Sequence, residues 1–198
     1  MIPIILALML ASQTANPKGE EILNQMASLY SGADGIILVM KSQTYSKVFE
    51  ETTSTTIAFN FNPPDTFYYS SDYEQVLGIA DTTWVLSKKH KQIQKKLTES
   101  YLKPTDFIIN WNNHYVLKNY QKGGDFDKFD LVGKEGVSPS QVRITLNQER
   151  HLRYIYYKDA SGDDVNIRIS QERLARTAKI HLINIDIPKG YQLIDLTE

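Results

Sequence analysis

Residues 52–69 read TTSTTIAFNFNPPDTFYY, and the fold assignment depends on the pattern in this stretch. Ile57, Phe59 and Phe61 alternate with small or polar residues, and the alternation resumes after the break at Pro63-Pro64-Asp65. A period of two is typical of a strand with one apolar face, because successive side chains point to opposite sides of the backbone. The stretch therefore predicts two strands joined by a turn, with Ile57, Phe59 and Phe61 on one face.

Short runs of the same kind recur along most of the chain, from Gly35 to Ile187. Their number predicts about nine to eleven strands in a sequential antiparallel sheet, the last of them over residues 179–187. Such a sheet must close into a barrel or be covered on one face, because open edges and bare apolar faces are unstable in water. The expected class is mainly β, within α+β.

Two segments have a helical pattern instead. Asn16-Pro17 supplies a cap and an early proline, and Ser31-Gly32 ends the element. Between them, apolar residues recur at helical spacing: Ile22, Leu23, Met26, Leu29 and Tyr30. In the middle of the chain, Pro104 precedes an apolar cluster and predicts a short helix that reaches Trp111. Each helix has an apolar side that must pack against something.

Composition excludes several functional classes. The chain has 22 Lys and Arg against 23 Asp and Glu, which does not provide the surplus of positive charge that nucleic-acid binding needs. It has no Cys, so no disulfide, thiolate catalysis or lipid attachment to its own cysteine is expected. Its four His lack ligand spacing, and no nucleophile elbow or phosphate-binding loop occurs. We expect no metal, no cofactor and no enzymatic activity.

Residues 1–15 begin with the apolar run MIPIILALML and continue with small and polar residues. The run is too short to cross a bilayer and matches the apolar region of a secretory signal, although no Lys or Arg precedes it. A buried first strand or helix is the alternative. The expected organisation is a signal peptide over 1–15 and a single domain over 16–198.

The strongest charged patch surrounds Lys88, Lys89 and Lys91. One interpretation is a solvated hairpin turn that discourages aggregation. The other is a contact with anionic headgroups or with an acidic partner at a membrane, which salt would weaken.

The order of these elements resembles the LolA family of periplasmic outer-membrane lipoprotein carriers. The resemblance covers nearly all of the chain after residue 15. It rests on the first helix and on four short motifs: the strand Thr52 to Phe61 leading into Pro63-Pro64-Asp65-Thr66-Phe67, the turn Ile79-Ala80-Asp81-Thr82-Thr83-Trp84, the apolar segment Pro104 to Trp111, and the ending Ile185-Asp186-Ile187-Pro188-Lys189-Gly190-Tyr191.

The resemblance implies a curved antiparallel half-barrel, with the N-terminal helix and a short lid helix over an apolar concave face. It implies a monomeric periplasmic carrier that takes acylated lipoproteins from an inner-membrane release complex to an outer-membrane receptor. Where the family has a lid-latching arginine, this sequence has Pro63, which can neither donate a hydrogen bond nor carry charge. That latch is therefore not transferable.

Strand parity and the resemblance together predict a set of lipid-contacting residues. The set is Met26, Ile57, Phe59, Phe61, Phe67, Tyr69, Trp84, Leu86, Phe107, Ile108 and Trp111. For each of them, ordinary core packing is the alternative. For the whole protein, the alternatives are a lipid-sensing binding module on the same half-barrel and an enzyme on a lipocalin-like barrel, for which His114 and Asp106 are scattered candidates.

Overall fold

The computed structural model describes residues 16–62, 66–97, 104–175 and 188–197. The predicted signal segment over 1–15, Pro63 and the predicted strand over 179–187 lie outside the described residues. None of the helices in the described part of the chain has the length and hydrophobicity that crossing a lipid bilayer requires.

The described elements are three helices and twelve strands. The helices are α1 (Pro17–Ser31), α2 (Pro104–Ile108) and α3 (Trp111–His114). The strands are β1 (Gly35–Ser46), β2 (Glu51–Asn62), β3 (Thr66–Ser70), β4 (Glu74–Ile79), β5 (Thr82–Ser87), β6 (Gln92–Leu97), β7 (Tyr115–Gln121), β8 (Phe126–Gly133), β9 (Gln141–Asn147), β10 (Leu152–Lys158), β11 (Asp164–Ala175) and β12 (Gln192–Asp195).

All twelve strands belong to one open, curved sheet in the order β12-β6-β5-β4-β3-β2-β1-β11-β10-β9-β8-β7. Neighbouring strands are antiparallel except β12 and β6, which pair in parallel. The prediction of a mainly β, antiparallel half-barrel with helices is confirmed. The predicted count of nine to eleven strands is too low, because the sequence pattern does not reveal β7, β8 and β12.

The central pair of the sheet consists of β1 and β2, each twelve residues long. Their pairing places one row of opposite residues on the side of the sheet that carries the helices, which we call the inner face. Residues directly opposite each other in an antiparallel pair share a face. The row consists of Ile36/Phe61, Leu38/Phe59, Met40/Ile57, Ser42/Thr55 and Thr44/Thr53. It is therefore apolar at one end and hydroxylated at the other.

Helix α1 begins as the sequence predicts. The Asn16 side chain accepts a hydrogen bond from the Gly19 amide at 3.1 Å, and Pro17 occupies the first helical position. The apolar side of the helix is buried in the core with the inner face, and Leu23, Met26 and Tyr30 are fully buried. The helix thus covers the apolar end of the face.

Both ends of α1 are fixed to the sheet. At its start, a Cβ atom on Gly19 would lie 2.7 Å from Cδ2 of Leu117 and 2.9 Å from Cβ of Tyr120, so a larger residue would require a shift at this approach to β7. Near its end, the buried Leu152 amide donates to the Tyr30 hydroxyl at 2.9 Å. Arg150 adds a polar link, because its Nε donates to Gln25 at 3.0 Å while its Nη1 pairs with the buried Asp127 at 3.2 Å. Helix α1 is therefore held against the sheet by contacts near both of its ends.

A first prediction concerns the close packing of β4 against β3. A Cβ atom at Gly78 would lie 2.0 Å from Cε1 of the buried Phe67 ring, so Gly78→Ala should lower the free energy of unfolding by about 1–3 kcal/mol, the usual cost of overpacking. The matched control is Gly124→Ala, whose Cβ would have no atom within 4 Å and which should change stability by less than about 0.5 kcal/mol. Urea denaturation measures both, and equal stability of the two variants would contradict this packing.

A second prediction concerns the seat of α1. Tyr30→Phe leaves the buried Leu152 amide without its acceptor, which should cost about 1–3 kcal/mol of unfolding free energy. Tyr154→Phe serves as the control, because that side chain is 41% exposed, and its effect should stay below about 0.5 kcal/mol. Thermal unfolding followed by circular dichroism separates the two, and a Tyr30→Phe variant as stable as the control would show that the bond does not hold the helix.

Candidate functional site

The inner face is packed at one end and hollow at the other. Under α1, the apolar pairs of β1 and β2 belong to a continuous core together with Phe129 and Leu146 from β8 and β9. Toward the β1–β2 turn, α1 no longer covers the sheet, and a pocket of about 420 Å³ opens between the inner face and α2. This volume lies within the range of about 300–1,000 Å³ that is usual for small-molecule sites.

The floor of this inner pocket is apolar. It is formed by side chains from five strands and from α2: Met40, Ile57, Phe67, Ile155, Val165, Ile167 and Phe107. The rim is made of hydroxyl-bearing side chains and one acid: Ser42, Thr44, Thr53, Ser54, Thr55, Tyr69, Tyr73, Tyr157 and Asp159. The lining described by the structure contains no Lys, Arg or His. It can bind an apolar chain below and hydrogen-bonding groups above.

Helix α2 forms one wall of the pocket through Phe107. This ring is 7% exposed and stacks on Tyr157 with 6.3 Å between ring centroids. The Phe107 ring also contacts the buried Tyr115, with 5.7 Å between centroids. Lys134 holds the neighbouring helix α3, because its Nζ donates to the Asn112 carbonyl at 2.8 Å. Phe107 is therefore the side chain that separates the hollow from the packed region around Tyr115.

The phenols of Tyr69 and Tyr157 on the rim are protonated at neutral pH. Burial raises the pKa of Tyr69, and the nearby Glu74 carboxylate raises it further. Burial also raises the pKa of Tyr157, with Asp159 as the second cause. Both effects disfavour the phenolate, since an anion is poorly solvated there and is repelled by the acids. Tyr69 and Tyr157 can therefore donate hydrogen bonds to a bound molecule.

The structure separates the predicted lipid-contacting residues into three groups. Those that line the pocket are Ile57, Phe67, Tyr69 and Phe107. Those that belong to the packed core on the inner side, without lining the pocket, are Met26, Phe59, Phe61, Ile108 and Trp111. The third group, Trp84 and Leu86, lies on the opposite face of the sheet, where contact with the pocket is not possible.

The placement of Trp84 and Leu86 on the inner face is wrong by one residue. Strand register pairs Val85 with Val76, and Val76 with the pocket residue Tyr69, so Val85 is the inward residue. Trp84 pairs instead with Leu77 on the outer side, where Lys95 Nζ lies 5.7 Å from the indole centroid. A shift of one residue reverses the face of every side chain in a strand.

The three predicted headgroup lysines lie together in the turn between β5 and β6, and all are exposed. The ammonium of Lys88 donates to the Ser71 carbonyl at 2.6 Å, so this side chain links its turn to the turn between β3 and β4. Lys91 has a positive φ of 50°, and its carbonyl accepts from the Gln192 amide at 3.0 Å. Lys88 thus has a structural role, and a headgroup contact of Lys89 and Lys91 stays a prediction.

Among the pocket residues that the sequence prediction lacks are Met40, the rim hydroxyls of β1 and β2, and the side chains that β10 and β11 contribute. The sequence does contain a signal for Met40 and for the hydroxyls of β1 and β2. Met40, Ser42 and Thr44 alternate along β1 on the inward side, and they lie opposite the threonine-rich residues 52–56 of β2. The pattern places Tyr157 in a strand but does not mark it as a site residue. Sequence alone could not bring it to the pocket, since β10 reaches the pocket only through β11.

Comparison of the chain with known proteins gives matches to solved structures alone. No protein-family model and no curated protein matches the sequence. A LolA superfamily protein from Nitrosomonas europaea matches with a TM-score of 0.47 and 14% identity, over 79% of this chain and 93% of that one. The lipoprotein LppX of Mycobacterium tuberculosis matches with a TM-score of 0.44 and 10% identity, over 87% and 100%.

A structure from Thermus thermophilus, described as an uncharacterized conserved protein, matches with a TM-score of 0.53 and 11% identity. The match covers 90% of this chain and 99% of the Thermus chain. At this level of identity the likeness concerns the fold and no further property. The chain therefore resembles the Thermus protein in its overall fold.

Proposed function

We propose that this protein is a periplasmic lipid carrier that binds the acyl chains of lipoproteins in the inner pocket and carries them from the inner to the outer membrane. The observation that carries the proposal is the apolar floor of the pocket, which the protein's own side chains leave unfilled. The motif resemblance to LolA carriers supports the lipoprotein cargo. A signal peptide over residues 1–15 would bring the chain to the periplasm.

The energetics of an acyl chain make such a pocket necessary. Each methylene exposed to water costs about 0.8 kcal/mol, so a chain of about sixteen carbons costs on the order of 12 kcal/mol. A carrier has to offset most of this cost with apolar surface of its own. The floor supplies that surface through unbranched, branched and aromatic side chains, of which Met40 is the most adaptable in shape.

The size of the pocket limits what it holds while α1 is seated. At about 420 Å³ the pocket lies in the lower part of the range for small-molecule sites, which suits a single acyl chain better than several. A lipoprotein with three chains needs more room than this. We propose that α1 leaves the inner face when such a load binds, which exposes Phe59, Phe61 and Met26 to the lipid. The contacts of Tyr30 and Arg150, together with the buried apolar side of α1, then contribute to the free-energy cost of loading.

The chemistry of the lining supports binding rather than catalysis. Its one carboxylate, Asp159, is engaged by its own turn, since Oδ1 accepts from the amides of Ser161 and Asp163. Among the described residues, His114 lies 3.7 Å from Asp106 at α2–α3, and neither side chain lines the pocket. A general acid or base would have to reach the bound molecule.

The proposal is tested by filling the pocket. Ser42→Phe places a ring in the hollow and should weaken the binding of a fluorescent acyl probe with an uncharged head at least tenfold, with no loss of thermal stability. Gln43→Phe, on the next residue and the outer face, is the control and should bind within twofold of the unchanged protein. Probe binding is measured by fluorescence titration with the protein starting at residue 16. Unchanged affinity in Ser42→Phe would show that lipid does not enter this pocket.

The carrier role needs a separate measurement. Protein purified from the periplasm is analysed for bound lipid and acylated protein by mass spectrometry, and its transfer of labelled lipoprotein between donor and acceptor membranes is followed. If an inner-membrane release complex loads the protein and an outer-membrane receptor unloads it, lipoprotein should move from inner-membrane donors to outer-membrane acceptors. Lipid binding without transfer would favour the lipid-sensing module instead.

A further inference from the structure

The rim of the inner pocket carries hydroxyl groups that the protein itself does not use. Ser42 and Thr44 of β1 stand opposite Thr55 and Thr53 of β2, which places four hydroxyls side by side on the inner face. No residue in the described ranges hydrogen-bonds the side chains of Ser42, Thr44 or Thr53. Thr55 makes only a long bond of 3.5 Å to Asp72. The hydroxyls of Ser42, Thr44 and Thr53 are therefore available both to donate and to accept, and that of Thr55 can still accept.

The charged groups around this rim are mostly acids or paired cations. Asp159 lines the pocket, and Glu74 lies near the phenol of Tyr69. The cations of the adjoining turns are already engaged, since Lys47 and Lys158 both pair with Asp164.

Two further lysines flank this half of the sheet: Lys88 lies in the β5–β6 turn at the pocket end, and Lys96 lies near the other end of β6. Lys88 Nζ is bound to the Ser71 carbonyl. Lys96 interacts with Glu74, since it lowers the pKa of that carboxyl while burial, the larger effect, raises it. Neither lysine lines the pocket. A phosphate entering the pocket would thus lose its hydration without gaining a cation, and it would face Asp159.

We propose that the inner pocket selects amphiphiles with an uncharged, oxygen-bearing head, such as an acyl glycerol or an acyl amide, over those with a phosphate head. Ester, amide and hydroxyl oxygens can exchange hydrogen bonds with the four rim hydroxyls and with the phenols of Tyr69 and Tyr157. The inference rests on the proposed function, because it assumes that the acyl chain occupies the apolar floor. It adds the chemical class of the head.

Selection of this kind has a physical use for a carrier near membranes. Phospholipids are the most abundant acyl-bearing molecules that such a protein meets, and their chains fit the same apolar floor. Discrimination must therefore act on the head, and one way to reject a competitor is to leave its charge without a partner. A rim with unused hydroxyls and without cations among its described residues meets this requirement.

The first experiment compares two competitors that differ only by phosphate. Monopalmitoyl glycerol and palmitoyl lysophosphatidate, both below their aggregation concentrations, displace the fluorescent acyl probe with an uncharged head from the protein. We expect the neutral competitor to bind at least tenfold more tightly, at low and at high salt. Equal affinity, or tighter binding of the phosphate-bearing competitor, would overturn the inference.

The second experiment removes or adds one group at the rim. Thr53→Val exchanges the hydroxyl for a methyl and should weaken monopalmitoyl glycerol about threefold to tenfold, without changing the affinity for an alkyl probe that has no oxygen-bearing head. Thr53→Lys should raise the affinity for the lysophosphatidate at least tenfold. Thr52→Val and Thr52→Lys, on the outer face of the same strand, are the matched controls and should leave every affinity unchanged.

The two proposals fail in different ways. If no acyl probe binds, the proposed function is wrong. If all acyl probes bind but the two heads compete equally, the proposed function stands and the selectivity is wrong. Equal effects of the changes at Thr53 and Thr52 would also refute the selectivity, because only Thr53 lies at the pocket.

Discussion

The rest of the structure depends on the register between β1 and β2. These strands lie at the centre of the twelve-stranded order and pair without interruption from Ile36/Phe61 to Ser46/Glu51. Because side chains alternate between faces, one register decides both what α1 covers and what the pocket exposes. Apolar pairs lie under the helix and hydroxylated pairs lie beyond it. A single strand pair therefore contributes both to the packed core and to the binding surface.

The elements that the sequence predicts well are those whose two sides differ in polarity. Helix α1 has a capping Asn16 and one apolar side, and the inward half of β2 alternates strictly, so type and phase are both correct. Strand β8 escapes prediction because its inward row begins with the buried Asp127, which is neutralised by Arg150 from the distant β9–β10 turn. This ion pair forms only in the folded chain. In the sequence, Asp127 therefore looks like an outward residue although its side chain points inward.

The error at Trp84 has a different physical origin. In the half of the sheet formed by β3 to β6, both faces are buried: Phe67 and Val76 on the inner side, Tyr68 and Leu77 on the outer side. A strand that is buried on both faces has no polar side to reveal its phase, so local pattern cannot say which residues point inward. The candidate site is therefore predictable where β2 borders the pocket, and it is not predictable where β5 is apolar on both sides.

The unfilled floor of the pocket also has a thermodynamic consequence. A ligand that binds only the folded chain stabilises it by RT ln(1 + [L]/Kd), about 2.7 kcal/mol at a hundred times Kd. If lipid occupies the hollow, the melting temperature of a sample depends on the fraction of protein molecules that carry lipid. Preparations that differ in residual lipid would then unfold at different temperatures although their polypeptides are identical.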